Sequence, residues 1–583
     1  MRYLIIIFLS ATLVFGCDYL DMVPENDIQT VETIFEQREN ADTWLRGLYG
    51  VMPNMITNLS NVAYFGADEL AACESHRNSQ WYAGAFKVSD GLEMSQDPYD
   101  NLWGSMYILI RDCNTFIENI DNVYNMTSGE KKQWKGEVLA LKAYAYFELV
   151  RRYGPIVLVP KNLPADANIS QLQLPRMHVD TCFKEIVNLL DEAIEYLPTS
   201  IAAGYERKPY IHLEAAHALK ARALLYAASP LFNGGISPYK DMKNKDGSAL
   251  FSPEDKEKWR IAAEYADETI EYLEGMGYKL ISGTMTEATP LLNTMRDLES
   301  SLWAPNFQNS TEAIMIVSGI NSIYQYLLPR LGTKESDPYY SSVLEGILGT
   351  NIRMVNKFYT VNGLPISEDK TWVYGDGYGM AQERDVRYTN VVPLSTDVLA
   401  LHLDREPRFY ATIAAPGLYW QLGPGSYNRL LVDSRRGQLF GVTQDRIISR
   451  VRQNLTGYYV KKGTRSDIRL PDYFNGISTF QQGATVYMRL AELYLIAAEA
   501  WNEYEGPNGT HRDKIFDRLN AVRERAGIPT VQESWGEYGI NPNKFNEQAG
   551  LRDIIRREKT IEFMFEGHRF WDVRRWGTAI AEG

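Results

Sequence analysis

Cysteine is scarce, with four residues in 583 positions, and no CxxC pair occurs among them. If Cys17 is consumed by the leader described below, Cys73, Cys113 and Cys182 remain, an odd number without metal-ligand spacing. That excludes a disulfide framework and a zinc knuckle, and leaves three small apolar side chains for the core. Histidine is also sparse. His76, His178, His212, His217, His402, His511 and His568 show neither HExxH nor HxH spacing, so no histidine metal set is visible. No GxSxG nucleophile elbow occurs. Positive charge is in deficit at a net −14, with no Lys/Arg run and no basic tail, which argues against nucleic acid as a partner. After residue 15 no apolar run is long enough to span a bilayer.

Against these absences, the first residues carry a clear signal. Arg2 precedes an apolar run from Leu4 to Phe15, too short for a membrane span but suited to a secretory leader. The run ends Val14-Phe15-Gly16-Cys17, similar to the lipobox of a bacterial lipoprotein, although Phe15 is bulkier than the residue usual there. Residues 1–16 are therefore expected to be a signal peptide, with Cys17 acylated as the first mature residue.

The body of the chain alternates helical patterning with a long irregular middle. Leu139, Ala143, Tyr146, Phe147 and Val150 recur at helical spacing, and Gly154-Pro155 ends that helix before a strand-like IVLVP. The same spacing recurs in DTCFKEIVNLLDEAIEYLP, HLEAAHALKARALLYAASP and KWRIAAEYADETIEYLEG. Two later helices are marked by Leu490, Leu493, Ala497 and Trp501, and by Ile515, Leu519, Val522 and Ala526. Helix pairs of this length, with alanine at close approaches, predict a mostly α, tetratricopeptide-like hairpin scaffold. From 280 to 480 Gly, Pro, Asn, Asp and Tyr dominate, and short β-prone pieces such as EAIMIVSG appear. The expected organisation is a helical region 17–279, a loop-rich ligand-binding insertion 280–480, and a helical region 481–583 returning to the scaffold.

Ten blocks then resemble one family in order along the chain: CDYLDMVPEN, LRGLYGVM, VAYFGADEL, ALKAYAYFELVRRYGPIVLVP, ALKARALLYAASPLFNG, FYTVNGLPI, DREPRFYATI, YMRLAELYLIAAEAWNE, LNAVRERAGIP and RREKTIEFMFEGHRFWDVRRWG. The chain thus resembles the SusD/RagB family of outer-membrane nutrient-binding lipoproteins. The resemblance implies a surface-exposed, lipid-anchored protein at the outer membrane that caps a SusC-type TonB-dependent transporter. It implies an oligosaccharide ligand, or a peptide in some members, with no cofactor and no catalysis.

The densest carboxylate cluster is Glu558, Glu562, Glu566 and Asp572, interleaved with Arg556, Arg557, Arg569, Arg574 and Arg575. The three glutamates are spaced to share one helix face, and nearby arginines would keep them ionised, unlike a general acid. A salt-bridged structural lock is the expected role, and glycoside hydrolysis the alternative. The Gly375-Gly377-Gly379 cluster lacks a strand-to-helix setting and reads as a flexible loop rather than a phosphate cradle. Aromatics are plentiful, with 12 Trp and 37 Tyr, and several sit among loop amides and carboxylates, as a sugar platform requires. The stretch DELAACESHRNSQW offers Asp68, Arg77, Asn78 and Trp81, and resembles the region where a starch-binding family member contacts its glycan, with an Asp, an Arg and a Trp in the same order. Trp303, Asn306 and Tyr324, with Tyr326 beside it, form a second candidate.

Overall fold

The computed structural model describes residues 30–52, 61–72, 77, 83–164, 166–200, 210–284, 287, 289–302, 310–318, 346–421, 429–435, 438, 440–441, 454–463 and 484–582. Its frame is a series of helices. They are α1 (Arg38–Tyr49), α2 (Trp103–Asn119), α3 (Ser128–Tyr153), α4 (Val179–Tyr196), α5 (Leu213–Ala228) and α6 (Glu257–Gly275). After α7 (Pro290–Ser300) and the short α8 (Pro407–Thr412) come α9 (Leu490–Tyr504), α10 (Arg512–Arg525), α11 (Gln548–Glu562) and α12 (Arg569–Arg575). From α2 to α6 each helix packs on the next, and α9 then packs on α6 and receives α10 and α11. The scaffold therefore closes across the long intervening segment as if it were continuous. This is a mostly helical, tetratricopeptide-like fold, as the sequence predicts.

Local chemistry sets these helices. The Thr127 hydroxyl accepts the Glu130 N–H at 3.2 Å and the Glu130 carboxylate accepts the Thr127 N–H at 3.1 Å, a reciprocal cap that starts α3. Gly154, at φ +70°, ends it in a left-handed conformation that a side chain would strain. On α5 the buried alanines 215, 216, 218, 221 and 223 let neighbouring backbones come close. Cys113 and Cys182 are free and buried, as expected; Cys73 lies outside the described residues.

The IVLVP segment is not a strand. Its backbone is satisfied by side chains from the preceding helices, so it needs no β partner. The Tyr107 hydroxyl donates to the Val157 carbonyl at 2.7 Å and accepts its N–H at 3.1 Å. The Tyr146 hydroxyl accepts the Val159 N–H at 2.8 Å, and Asn114 Nδ2 and Lys142 Nζ donate to the carbonyls of Val159 and Pro160. A short apolar run suggested a strand; side chains of α2 and α3 supply what a neighbouring strand would have supplied.

The described strands are short and pair in twos: β1 (Ala313–Ser318) with β8 (Ala484–Arg489), β2 (Met380–Gln382) with β3 (Asp397–Leu399), β4 (Ile413–Ala414) with β7 (Tyr459–Val460), and β5 (Tyr419–Gln421) with β6 (Arg429–Leu431), all antiparallel. One large apolar core fills the space between the scaffold helices. A second gathers around Phe358, Phe409, Tyr410 and Leu418 and is completed by Ile561 of α11 and by Ala526, Ile528 and Met564 from the turns that follow α10 and α11. The loop-rich segment thus has a hydrophobic centre of its own, welded to the frame.

Candidate functional site

The carboxylate cluster resolves into a buried ion network. Glu562, at the end of α11, sits 2.7 Å from Arg489 and 3.2 Å from Arg408, and also pairs with Arg525. Glu558 pairs with Arg408 at 2.6 Å and Arg523 at 2.9 Å, and Glu566 with Lys462 at 2.7 Å and Arg489 at 2.9 Å. Burial opposes ionisation of Glu562, but Arg525, Arg489 and Arg408 outweigh it and hold its carboxyl far below the usual range. Glu566 is held low in the same way by Arg489 and Lys462, again against burial. A permanently ionised, inaccessible carboxylate cannot serve as a general acid.

Two details correct the sequence reading. The helix stops at Glu562, and Phe565 takes a positive φ of 64°, so Glu566 lies on the following turn rather than on a shared helix face. The three glutamates draw their cations from distant segments rather than from the interleaved arginines. Arg575 instead grips Glu499 at 2.6 Å and Asp572 at 2.8 Å, Arg574 donates to the Phe570 carbonyl, and Arg557 donates to two backbone carbonyls.

Of the sequence-predicted ligand residues, two are described. Asp68 accepts from Arg569 at 3.1 and 3.3 Å across 501 positions, while its own carbonyl accepts from Asn351 Nδ2. Arg77 pairs with Asp90 and lies 4.9 Å from the Phe86 ring centroid. They share no hydrogen bond or ion pair among the described contacts. Asn78, Trp81, Trp303, Asn306, Tyr324 and Tyr326, like Cys17 and the leader, lie outside the described residues.

An aromatic display in segment 371–388 was missed at sequence level, although its Tyr- and Gly-rich composition was plain. Asp369 fixes its base. One carboxylate oxygen accepts from Thr360 Oγ1 at 2.6 Å and Asn362 Nδ2 at 3.0 Å, the other from the Thr371 N–H at 2.9 Å and its hydroxyl at 2.7 Å. The Trp372 indole N–H then donates to the Gly375 carbonyl at 3.0 Å, a turn made possible by positive φ at Gly375 and Gly377. Trp372 meets Tyr374 edge-to-face at 5.0 Å, and Tyr374 hydrogen-bonds Asp404; burial, then the Asp404 charge, pushes its phenol up to about 12. In the same segment Tyr378 is 55% exposed, and Val373, Met380, Asp376, Gln382 and Arg387 are exposed as well. The loop reads as flexible from its glycines, yet hydrogen bonds hold it. A held ring pair in a segment that also carries exposed polar side chains can stack on the apolar face of a sugar.

Among the described residues no group of three or more His, Cys, Asp or Glu is arranged to hold a metal ion, and no helix is long and apolar enough to cross a membrane.

A frame of packed helical hairpins bearing a loop-rich segment with presented aromatic rings is the architecture of a helical-scaffold binding protein. The SusD family model matches residues 308–583, and the model described as starch-binding associating with outer membrane matches 18–225. The chain belongs to the SusD-like family. Among curated relatives, SusD-like protein P25 of Formosa agariphila is 38% identical over 95 residues, and SusD-like protein P2 of the same organism 36% over 91. These alignments span 16% and 15% of this chain and 16% of each relative's length. The solved structure named BT4246 is 27% identical at a TM-score of 0.78, covering 93% of this chain and 89% of that one. A SusD-like protein from Bacteroides fragilis follows at 23% and 0.66, covering 94% and 87%.

Proposed function

We propose that this chain is a non-catalytic, cell-surface glycan-binding subunit that caps a SusC-type TonB-dependent transporter at the outer membrane, tethered by lipid on Cys17. The observation that carries the glycan reading is the Trp372–Tyr374 pair, held edge-to-face in a segment that also exposes Tyr378. The family description points the same way. Two structures of the same fold are named a laminarin-binding SusD-like protein and a surface glycan-binding protein from Bacteroides uniformis; those names speak of those proteins, and identities of 19% and 14% carry the fold alone. Arg77, Asn78, Trp81, Trp303, Asn306 and Tyr324 stay candidates for further ligand contacts, whereas Asp68 is committed to Arg569. Residues 17–279 and 481–583 form one scaffold in this reading, with 280–480 as its binding insertion.

The deciding experiment is a combined glycan and peptide array probed with the chain lacking its first seventeen residues, with a reducing-end assay on every glycan retained. Retention of glycans without release of reducing ends supports the reading. Peptide retention alone, or turnover of a retained glycan, refutes it. Cys17→Ala should shift the protein out of washed membranes, because stable anchoring needs more than one acyl chain. Co-extraction in mild detergent should recover a larger β-barrel partner.

A further inference from the structure

Asp404 holds a backbone conformation uncommon for a residue with a side chain. Its φ is +50°, in the left-handed region that glycine takes freely and other residues enter less readily. Its neighbours Leu403 and Arg405 are fully buried. The Arg405 guanidinium donates to the carbonyls of Leu401, Val355, Phe358 and Tyr359 at 2.7–3.1 Å, and the Asp404 carbonyl accepts the Val361 N–H at 2.8 Å. The surrounding structure therefore clamps the backbone at 404. A residue kept in such a conformation marks a place where the direction of its side chain matters.

That side chain reaches the Trp372 loop. Half-buried Asp404 hydrogen-bonds the Tyr374 phenol, and no ion pair among the described residues claims its carboxylate. Burial raises the Asp404 carboxyl and the Tyr374 bond draws it back; Asp385, Arg387, Asp369 and Glu383 are the charged groups that act with it. Backbone contacts fix the approach as well. The Leu401 N–H donates to the Gly377 carbonyl and the Ala400 N–H to that of Gly379, each at 2.8 Å, and β2 pairs with β3 immediately beyond. At Gly377 an added Cβ would stand 3.2 Å from Leu401, so the loop lies directly against the segment that carries Asp404. Each ring of the edge-to-face pair thus has one polar anchor, the Gly375 carbonyl for the Trp372 indole and Asp404 for the Tyr374 phenol.

We propose that Asp404 is the positioning residue of the ring display: clamped in its left-handed conformation, it holds the Tyr374 phenol so that Tyr374 keeps Trp372 edge-on. It acts through Tyr374 and not on the ligand. The consequence for binding rests on the glycan reading of this loop, whereas the ring geometry does not.

Two substitutions separate the side chain from the backbone. D404G takes the left-handed conformation freely and deletes the acceptor, whereas D404N keeps an acceptor oxygen on a residue type that tolerates that conformation. Labelling with 5-fluorotryptophan gives the 12 tryptophans fluorine NMR signals, and W372F assigns the one from Trp372. D404G is expected to move or broaden the Trp372 signal and to leave the other signals and the melting temperature in place. D404N should leave all of them in place. On an array of neutral α-glucan, β-glucan and mannan oligosaccharides, D404G and Y374F should each weaken retention severalfold and D404N hardly at all. Combining D404G with Y374F should weaken it no further than either alone, because both remove one contact. An unmoved Trp372 signal in D404G overturns the proposal. Additive losses in the double variant also overturn it, since Asp404 would then touch the ligand directly. So does an equal fall in melting temperature in D404G and D404N, the mark of a structural role alone. If the wild-type chain is retained by no glycan, the glycan reading fails while the fluorine signal still decides this one. If D404G does not fold, an unmoved Trp372 signal in Y374F overturns the proposal.

Discussion

Arg489 and Glu562 stand 73 positions apart in the chain and meet at 2.7 Å in the interior. Arg489 is the last residue of β8 and the N-terminal cap of α9, and its guanidinium also reaches Glu312 at 2.8 Å and Glu566 at 2.9 Å. Through Glu312 and Glu562 it shares both carboxylates with Arg525. One guanidinium therefore ties the strand pair, α11 and the turn after it.

Glu562→Gln should destabilise the protein by about 3–5 kcal/mol, because it leaves three buried guanidiniums short of a counter-charge. The pH dependence follows from the same depression. A carboxyl held below its ordinary value contributes stability that is whole above about pH 4.5 and drains as pH falls through the folded value. Glu499, brought down to about 2 by Arg575 and Lys559 against the opposing effect of burial, adds to the same acid slope. Urea denaturation from pH 7 to pH 3 should show wild type losing stability steeply, and Glu562→Gln losing less over that range.

Glu69 runs the other way. It is fully buried, accepts the Phe565 N–H at 2.9 Å with one oxygen, and burial pushes its carboxyl up to about 8. The folded protein holds this proton between about pH 4.5 and 8 while the unfolded chain releases it, so stability falls as pH rises through that window. Glu69→Gln keeps the accepting oxygen and cannot ionise. Its melting temperature relative to wild type should climb between pH 5 and pH 8.5; a constant difference would show that Glu69 is ionised in the fold.

Trp372→Ala should weaken glycan binding by about 0.5–2 kcal/mol, severalfold to some thirtyfold, with little change in melting temperature. Trp420, wholly buried beside Phe440 and Tyr459, should behave oppositely, its removal costing about 3–5 kcal/mol of stability. Paired calorimetry and thermal melts of the two variants separate a platform from a packing ring.

Tyr146→Phe should cost about 1–3 kcal/mol, because the Val159 N–H loses its acceptor. Amide exchange would register this directly, with faster exchange at Val159 and unchanged protection in the middle of α3.

The scaffold was legible because helical burial leaves a repeating mark. Ala143, Tyr146 and Val150 recur at three-to-four spacing, and each is buried. The ion network was legible only in part: Glu558 and Glu562 stand out as a cluster, but Arg408, Arg489 and Arg525 lie far away in sequence, and no local pattern joins them. The Trp372 display was hidden for a related reason. Three glycines in a row of turns look like slack, and only the Asp369 carboxylate and the indole-to-carbonyl bond reveal that the turns are fixed.

The pairing of β1 with β8 has a bearing on divergence. Ser318 opposes Ala484, so a single ladder pins both ends of the segment 319–483 to the frame. The entropic penalty for closing such a tether grows only with the logarithm of its length, about 0.6 kcal/mol for each doubling. Insertions and deletions in those loops of the segment that supply neither the second core nor the ion network therefore barely disturb the thermodynamics of the frame. A lineage of such proteins could exchange one recognition surface for another while the helices carrying it drift slowly, which makes the strand pair a clasp at which novelty enters cheaply.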